Sequence, residues 1–300
     1  MSRPQHRRPE DEDHAYLRDL LGGDGLRGPG DDAALVELGG RVLATIDPVV
    51  EGQHFLAGTS PARIGRKLVN RSFSDLAAMG ARPKTVLVSF CFGSGWLRRQ
   101  RRALYRATLA AVERFDARWG GGDLASTPGA SVFSCCALGL ARRVVGRAAL
   151  RRGDLLCVTG PLGGSLRSGH HLDFVPRVAF GERLANAHRV RAMIDVSDGL
   201  ALDLARMLTA SGGVGAELDA DAVPRRRGVS LEAALGDGED YELLFAVPPR
   251  RLTALRADRG LPAIARRPIG RVTKEAGVWL CRPGAERQRV EPAGWQHDLA

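Results

Sequence analysis

The chain predicts an α/β fold with mixed sheets, arranged as two domains. Three observations carry that expectation. Short apolar runs alternate with amphipathic stretches in both halves of the 300 residues. A basic, polar stretch over residues 142–153 interrupts them and marks a boundary. No short-period repeat runs through the sequence, so a solenoid is excluded. The expected domains are 1–146 and 147–300.

The elements follow in order. Residues 1–13 are charged and read as a disordered tail. Residues 14–21 read as a short helix, followed by glycine-rich sequence to Gly30. Residues 41–47 form a strand that ends in an acid. Ser60-Pro61 opens a helix, with serine at the N-cap and proline in the first turn. Ile64, Leu68 and Leu76 give that helix an apolar stripe toward Gly80. Residues 85–92 are an apolar strand. Residues 96–119 read as one long amphipathic helix, with Leu104, Ala107, Ala111, Val112 and Phe115 on its stripe. Residues 131–140 are a buried strand. In the second half, a strand over 154–159 enters Gly160-Pro161-Leu162-Gly163-Gly164. A strand over 192–196 leads into a helix over 200–210. Strands over 242–247, 264–272 and 278–281 complete the set.

Composition bounds the function. Apolar content is 44% and charged content 26%, ordinary for a globular chain. Aromatics are only 5%, so Leu, Val and Ala are expected to build the core. The formal charge is +10, and lysine occurs only at 67, 84 and 274, so the excess is arginine. Those arginines are scattered, with short clusters at Arg98-Arg99, Arg101-Arg102 and Arg225-Arg226-Arg227. A nucleic-acid surface would show a basic stripe with interleaved aromatics. Compositional bias therefore outweighs a nucleic-acid partner. The five cysteines, at 91, 135, 136, 157 and 281, form no C-x-x-C pair, which points to reduced thiols and a cytoplasmic location. The first residues lack the apolar core of a signal peptide, and no apolar run is long enough to span a bilayer.

Six short acidic clusters carry the chemistry. They are Gly30-Asp31-Asp32-Ala33-Ala34, Thr45-Ile46-Asp47, Ser74-Asp75 with the apolar run to Ala81, Gly121-Gly122-Asp123, Asp195-Val196-Ser197-Asp198-Gly199-Leu200, and Gly238-Glu239-Asp240-Tyr241. Clustered carboxylates repel one another unless cations neutralise them. Glycines beside them let backbone approach a ligand closely. Hard oxygen ligands suit Mg²⁺ and, through it, nucleotide phosphates. The combination points to phosphoryl transfer. Residues 195–200 are the strongest local signal, because a helix cap needs one polar residue and three are crowded here. Asp75 sits among Leu76, Ala77, Ala78 and Met79, company in which a carboxylate needs a cation or a donor. Gly120 to Asp123 reads either as a plain turn or as a loop whose bare amides meet phosphate.

Two strings are set aside. Gly23-Asp24-Gly25-Leu26-Arg27-Gly28 spells a dinucleotide fingerprint but follows a helix and opens none. Gly65-Arg66-Lys67 lacks the Ser or Thr and the glycine spacing of a P-loop. No G-x-S-x-G occurs, so no serine nucleophile is expected.

In this order and spacing the clusters resemble the thiamine-monophosphate kinase family, within the aminoimidazole-ribonucleotide-synthetase-like superfamily. The resemblance runs from Gly30 to Trp295 and includes Val50-Glu51-Gly52-Gln53-His54-Phe55 and Gly294-Trp295-Gln296-His297. It implies transfer of the ATP γ-phosphoryl group to thiamine phosphate. It implies a two-domain fold whose N-terminal strands pair in a homodimer. Carried over by motif position, Asp32, Thr45, Asp47, Asp75, Asp123, Asp195 and Asp198 would hold several Mg²⁺ ions. Gly121, Gly122, Arg147, Ser197 and Tyr105 would contact ATP, and His54, Glu239 and Trp295 would contact thiamine phosphate.

The chain departs from the family pattern at several places. Ile46 stands where a second Thr is common, Ser72 where Asn is usual, and Leu124 where a small polar residue is usual. The stretch from Gly160 to Arg177 is short, where relatives carry a further helix. Two other readings stay open at this stage. One is a different ATP-using enzyme of the same superfamily. The other is an arginine-rich RNA-binding or scaffold protein that has kept the fold and lost catalysis. A reactive Cys before Cys91 or at the C-terminus, which two such enzymes need, is missing.

Overall fold

The computed structural model describes residues 16, 17, 19–21 and 39–295. The tail over 1–13, the Gly30-to-Ala34 motif with its Asp32, and Gln296-His297 lie outside the described residues. The chain divides into two compact units: Met1–Ser72 with Pro83–Leu140, and Phe73–Arg82 with Ala141–Ala300. Both are mixed α/β.

The first unit holds a four-stranded sheet in the order β1-β4-β2-β3, formed by β1 (Arg41–Val50), β2 (Arg82–Phe92), β3 (Arg118–Ser126) and β4 (Val132–Ala141). Helix α1 (Pro61–Ala78) starts as its sequence predicts. The Arg63 and Ile64 amides donate to the Ser60 carbonyl, and Pro61 occupies a position where its missing N–H costs nothing. Helix α2 (Arg98–Glu113) is shorter than the expected 96–119. Asp116 turns out of the helix at φ +55, and the chain passes directly into β3. Three consecutive glycines weaken a helix, whereas in a strand they let two backbones approach. The local pattern shows a helix end followed by a turn or a phosphate-meeting loop, and pairing with β2 makes the segment a strand.

The expected Leu, Val and Ala core is incomplete here. Phe90 is central to a ring cluster, 5.1 Å from Tyr105 and 5.5 Å from Phe133 between centroids. Phe92, Trp96 and Trp119 join the same cluster.

The second unit is built on a seven-stranded sheet in the order β11-β10-β7-β9-β5-β8-β6. Its strands are β5 (Leu155–Val158), β6 (Ala192–Val196), β7 (Gly215–Asp219), β8 (Glu242–Val247), β9 (Gly270–Thr273), β10 (Gly277–Cys281) and β11 (Gln288–Val290). The β10–β7 pair is parallel, and the other described pairs are antiparallel. Helices α3 (Leu200–Ala210) and α4 (Leu231–Gly236) contribute to a core of Leu, Val, Ala, Ile and Met. The expected strand over 264–272 divides: Ile264–Arg266 is a 3-10 turn, and β9 begins only after Pro268, which has no amide to give a ladder. β7 and β11 are short and were not anticipated; pairing with β9 and β10 makes them strands. The 160–177 stretch holds two four-residue helices, Ser165–Ser168 and His170–Asp173.

All five cysteines are free thiols. Burial pushes the Cys157 thiol up to about 12. Among the described residues no helix is long and apolar enough to cross a membrane.

Candidate functional site

In the second unit three distant segments meet at the end of β6. Asp195 is 7% exposed, and Ser74 Oγ donates to its Oδ2 at 2.7 Å. Beyond Val196 the chain turns through Ser197 and Asp198 into α3. Gly199, not an acid, is the N-cap, and glycine has no side chain to cap the helix with. Asp203, inside the helix, takes the Asp198 amide instead, at 3.0 Å. Arg206 donates to both Asp198 and Asp203, the latter at 2.8 Å. Burial raises the Asp203 carboxyl to about 6, against the opposing pull of the amide and Arg206.

The glycine-acid loop before β8 packs onto that turn. The Glu239 amide donates to the Ser197 carbonyl at 2.6 Å, and the Tyr241 amide to the Val196 carbonyl at 2.8 Å. Gly238, Glu239 and Tyr241 all have positive φ, +70, +56 and +51. Two non-glycine residues in that region mark a strained loop, held by its surroundings. A Cβ on Gly238 would sit 2.8 Å from the Ser197 carbonyl oxygen, so the position needs glycine for space as well as φ.

The acids of this loop separate by role. Asp240 is buried and accepts from the Gly163 amide at 2.9 Å, from Ser165 Oγ at 2.6 Å and from Arg226. Glu242 is buried and accepts from Thr159 Oγ1 at 2.7 Å and from Arg177 Nε at 2.8 Å. Both therefore hold the Gly160–Gly164 loop and its surroundings. Glu239 is half-buried. The third segment is the C-terminal one. The Trp295 amide donates to the Asp198 carbonyl at 2.9 Å, while 48% of the Trp295 residue surface stays exposed. Ser197, Asp198, Glu239 and Trp295 are thus gathered on one turn.

Asp75 lies in the last turn of α1, half-buried, with Leu76, Ala77 and Ala78 buried beside it. The carbonyl end of a helix disfavours a carboxylate unless a cation is near. Arg147 is exposed in the segment before β5.

In the first unit, Thr45 and Asp47 share one face of β1 and Ile46, 66% exposed, points to the other, as strand alternation requires. Ile46 therefore does not stand in for a hydroxyl beside Asp47. Ser72 Oγ lies 3.1 Å from Asp47 Oδ2 and 2.8 Å from the Cys135 carbonyl oxygen, and Arg71 lies 3.7 Å from Asp47. His54 is buried; its Nδ1 accepts the Val50 amide at 3.0 Å, and its carbonyl accepts Lys67 Nζ at 2.9 Å. A cavity of about 180 Å³ adjoins that turn, lined by Glu51, Phe55 and Trp96 among others.

Gly121, Gly122 and Asp123 are residues of β3, not of a loop. Trp119 pairs with Val86 and Gly121 with Leu87, so Gly120 is the extra residue of a bulge. A Cβ on Gly122 would come within 1.7 Å of the Val88 carbonyl oxygen, which fixes glycine there. Asp123 follows, exposed. Tyr105 corrects an expectation. It is 0% exposed and packs against Phe90 and Phe92, so it is a core residue with no surface to offer a nucleotide.

Among the described residues no group of three or more His, Cys, Asp or Glu side chains is close enough to hold a metal ion. The available donors are carboxylate and hydroxyl oxygens, the hard set that Mg²⁺ takes, commonly one or two carboxylates with substrate phosphates completing the shell. The donor chemistry fits Mg²⁺. Sequence reasoning missed Ser74 as the partner of Asp195, and Asp203 with Arg206 as the support of Asp198. The only signal was the acid and base at i, i+3 on α3.

Comparison with known proteins agrees with this layout. The family model for the AIR synthase related protein N-terminal domain matches residues 30–141, and that for the C-terminal domain matches residues 151–280. The thiamine-monophosphate kinase of Rhodopirellula baltica is 35% identical over 291 residues, covering 90% of each chain. That of Halobacterium salinarum is 35% identical, covering 95% of this chain and all of the relative. Among solved structures, a ThiL complex with AMPPCP and TMP superposes with a TM-score of 0.76 at 28% identity, covering 95% of both chains. The thiamine-monophosphate kinase of Stenotrophomonas maltophilia gives 0.76 at 29%, covering 92% of this chain and 96% of the other. The hydrogenase maturation protein HypE gives 0.75 at 20% identity over 92% of this chain and 96% of the other, a likeness of fold alone. On the strength of relatives at 35% identity along nearly its whole length, the chain belongs to the thiamine-monophosphate kinase family.

Proposed function

We propose that the protein transfers the γ-phosphoryl group of ATP to thiamine monophosphate, giving thiamine diphosphate and ADP. The observation that carries this reading is the meeting of Asp198, Glu239 and Trp295 backbones on one turn, in a chain whose relatives bear that activity. An oxygen of the acceptor phosphate attacks the γ-phosphorus, and the bond to the β-bridging oxygen breaks. The acceptor is already an anion, so the protein's part is placement more than proton removal.

The proposed ATP contacts are Gly121, Gly122, Arg147 and Ser197. The two glycines leave the β3 backbone bare, so phosphate oxygens can approach its amides. Trp295 presents a half-exposed ring, suited to a cationic thiazolium or pyrimidine. Glu239 and His54 are its proposed companions at the acceptor. Thr45, Asp47, Asp75, Asp123, Asp195 and Asp198, with Asp32, are the proposed holders of Mg²⁺. When bound, Mg²⁺ screens the crowded phosphate oxygens and the charge that develops on them. Ser74 holds the Asp195 carboxylate in one orientation, and Arg206 holds Asp198.

A homodimer is part of the same proposal. Val42 and Ile46 of β1 and Leu87 of β2 leave exposed apolar side chains on the four-stranded sheet, and an isologous contact would cover them. The unpaired thiols suit a reducing compartment, the cytoplasm.

The test is turnover of the full chain with ATP, Mg²⁺ and thiamine monophosphate, followed by chromatography. One thiamine diphosphate per ADP is expected. ADP without thiamine diphosphate would remove the acceptor, and no ADP with any phosphorylated acceptor would remove the kinase reading.

A further inference from the structure

The second unit carries a basic cleft that the kinase reading does not use. It has a volume of about 380 Å³ and is lined by Arg143, Arg189, Arg191, Arg250 and Arg251, with Ala149 and Pro248 between them. Arg191 immediately precedes β6, and Arg250 and Arg251 follow β8. These strands are antiparallel, with Ala192 opposite Ala246 and Val196 opposite Glu242. The cleft therefore lies at one end of the pair and the Asp195–Asp198 turn at the other. Four residues of strand separate them, about 13 Å.

The charge of the cleft is poorly answered from within. Asp154 Oδ2 sits 2.7 Å from Arg191 Nε and offsets one charge. Arg143 donates to the Ala185 and Val190 carbonyls, both neutral, at 3.0 Å. Among the described residues, Arg189, Arg250 and Arg251 have no carboxylate within ion-pair distance. Burial, then the Arg189 and Arg251 charges, lower the Arg143 pKa, the direction expected of like charges facing a common space. Four arginine charges thus converge without a counter-ion. Guanidinium forks match phosphate oxygens in pairs, and the volume is that of a small-ligand pocket. No aromatic side chain lines the cleft, so it lacks the stacking surface that single-stranded nucleic acid uses.

We infer that this cleft binds a small anion with a chain of two or more phosphate groups, separately from the proposed ATP and acceptor contacts. The source of the phosphate chain is either inorganic or a nucleotide, and the experiment separates them.

The test is calorimetric titration of the full-length protein, in Mg²⁺-free buffer at low salt, with tripolyphosphate, orthophosphate and ATP in turn. Tripolyphosphate is expected to bind at least tenfold more tightly than orthophosphate, and to weaken as salt rises. ATP binding as tightly in the same cleft would make a nucleotide the source; weaker ATP binding would make it inorganic. The Arg189→Gly/Arg251→Gln variant should lose at least tenfold in tripolyphosphate affinity. Glycine at 189 also suits its φ of +50, so the fold should not suffer. Arg250→Glu, at an exposed position, is the second variant and should act in the same direction. KM for ATP should stay within twofold in both. The inference is overturned by absence of tripolyphosphate binding, by equal binding in the variants, or by a parallel rise in KM for ATP. It is overturned equally by a mixed-sequence RNA that displaces tripolyphosphate with higher affinity.

Discussion

Ser74 Oγ donates to Asp195 Oδ2 at 2.7 Å, joining two residues 121 positions apart in the chain. Both are buried, so the bond is formed away from bulk water, where a carboxylate without donors is costly. The pair ties the end of α1 to the end of β6 within the second unit.

The first prediction concerns that bond. Ser74→Ala should lower stability by about 1.5–3 kcal/mol, the range for a hydrogen bond to a charged group. It should also raise the Mg²⁺ concentration needed for half-maximal turnover, because Asp195 loses its fixed orientation. Urea unfolding and a Mg²⁺ titration of activity measure the two effects. An unchanged midpoint and unchanged Mg²⁺ dependence would show the bond to be idle.

Asp75→Asn and Asp195→Asn should each abolish phosphoryl transfer while circular dichroism stays native. Asparagine keeps the shape and removes the charge that a divalent cation needs. Normal turnover of both variants at limiting Mg²⁺ would defeat the assignment.

Two neighbouring glycines should respond differently. Gly122→Ala places a Cβ 1.7 Å from the Val88 carbonyl oxygen and must spread β2 and β3, a loss of more than about 3 kcal/mol. Gly121→Ala meets nothing within 4 Å and faces only its φ of +156, about 1–3 kcal/mol. Thermal unfolding of the two variants is the measurement, and equal losses would contradict the bulge register.

Acid should loosen the Gly160–Gly164 region. His170 Nε2 lies 3.3 Å from the Asp240 carbonyl oxygen, and burial, then the Arg226 charge, lower its pKa. A histidine depressed in the folded state is charged more readily when unfolded, so the unfolded chain binds more protons. Stability from this group is therefore present above the ordinary histidine pKa of about 6.5 and is lost as pH falls through the folded value. His170→Gln should flatten the pH dependence of stability below that point, and an unaltered slope would exclude His170 as its source.

Trp295→Ala should weaken thiamine monophosphate binding by roughly 1–2 kcal/mol, the size of a partly desolvated cation–π contact, and leave ATP affinity nearly unchanged. Calorimetry with each ligand separates the two. Equal losses for both would make Trp295 structural.

Local chemistry was legible in the chain itself. The α/β character, the helix opening at Ser60-Pro61, strand β6, helix α3 and strand β8 follow from apolar periodicity and capping residues, which act over one or two turns. The acidic motifs could be found because clustered carboxylates repel one another unless cations neutralise them. Only the tertiary structure decided which acids hold the fold through buried hydrogen bonds. Asp240 and Glu242 follow Glu239 within three residues, yet burial and arginine partners make them supports. Tyr105, which the family resemblance set among the ATP contacts, is core, because the aromatics of distant strands close over it. The strand character of β3 comes from pairing with β2, a contact that no local pattern encodes.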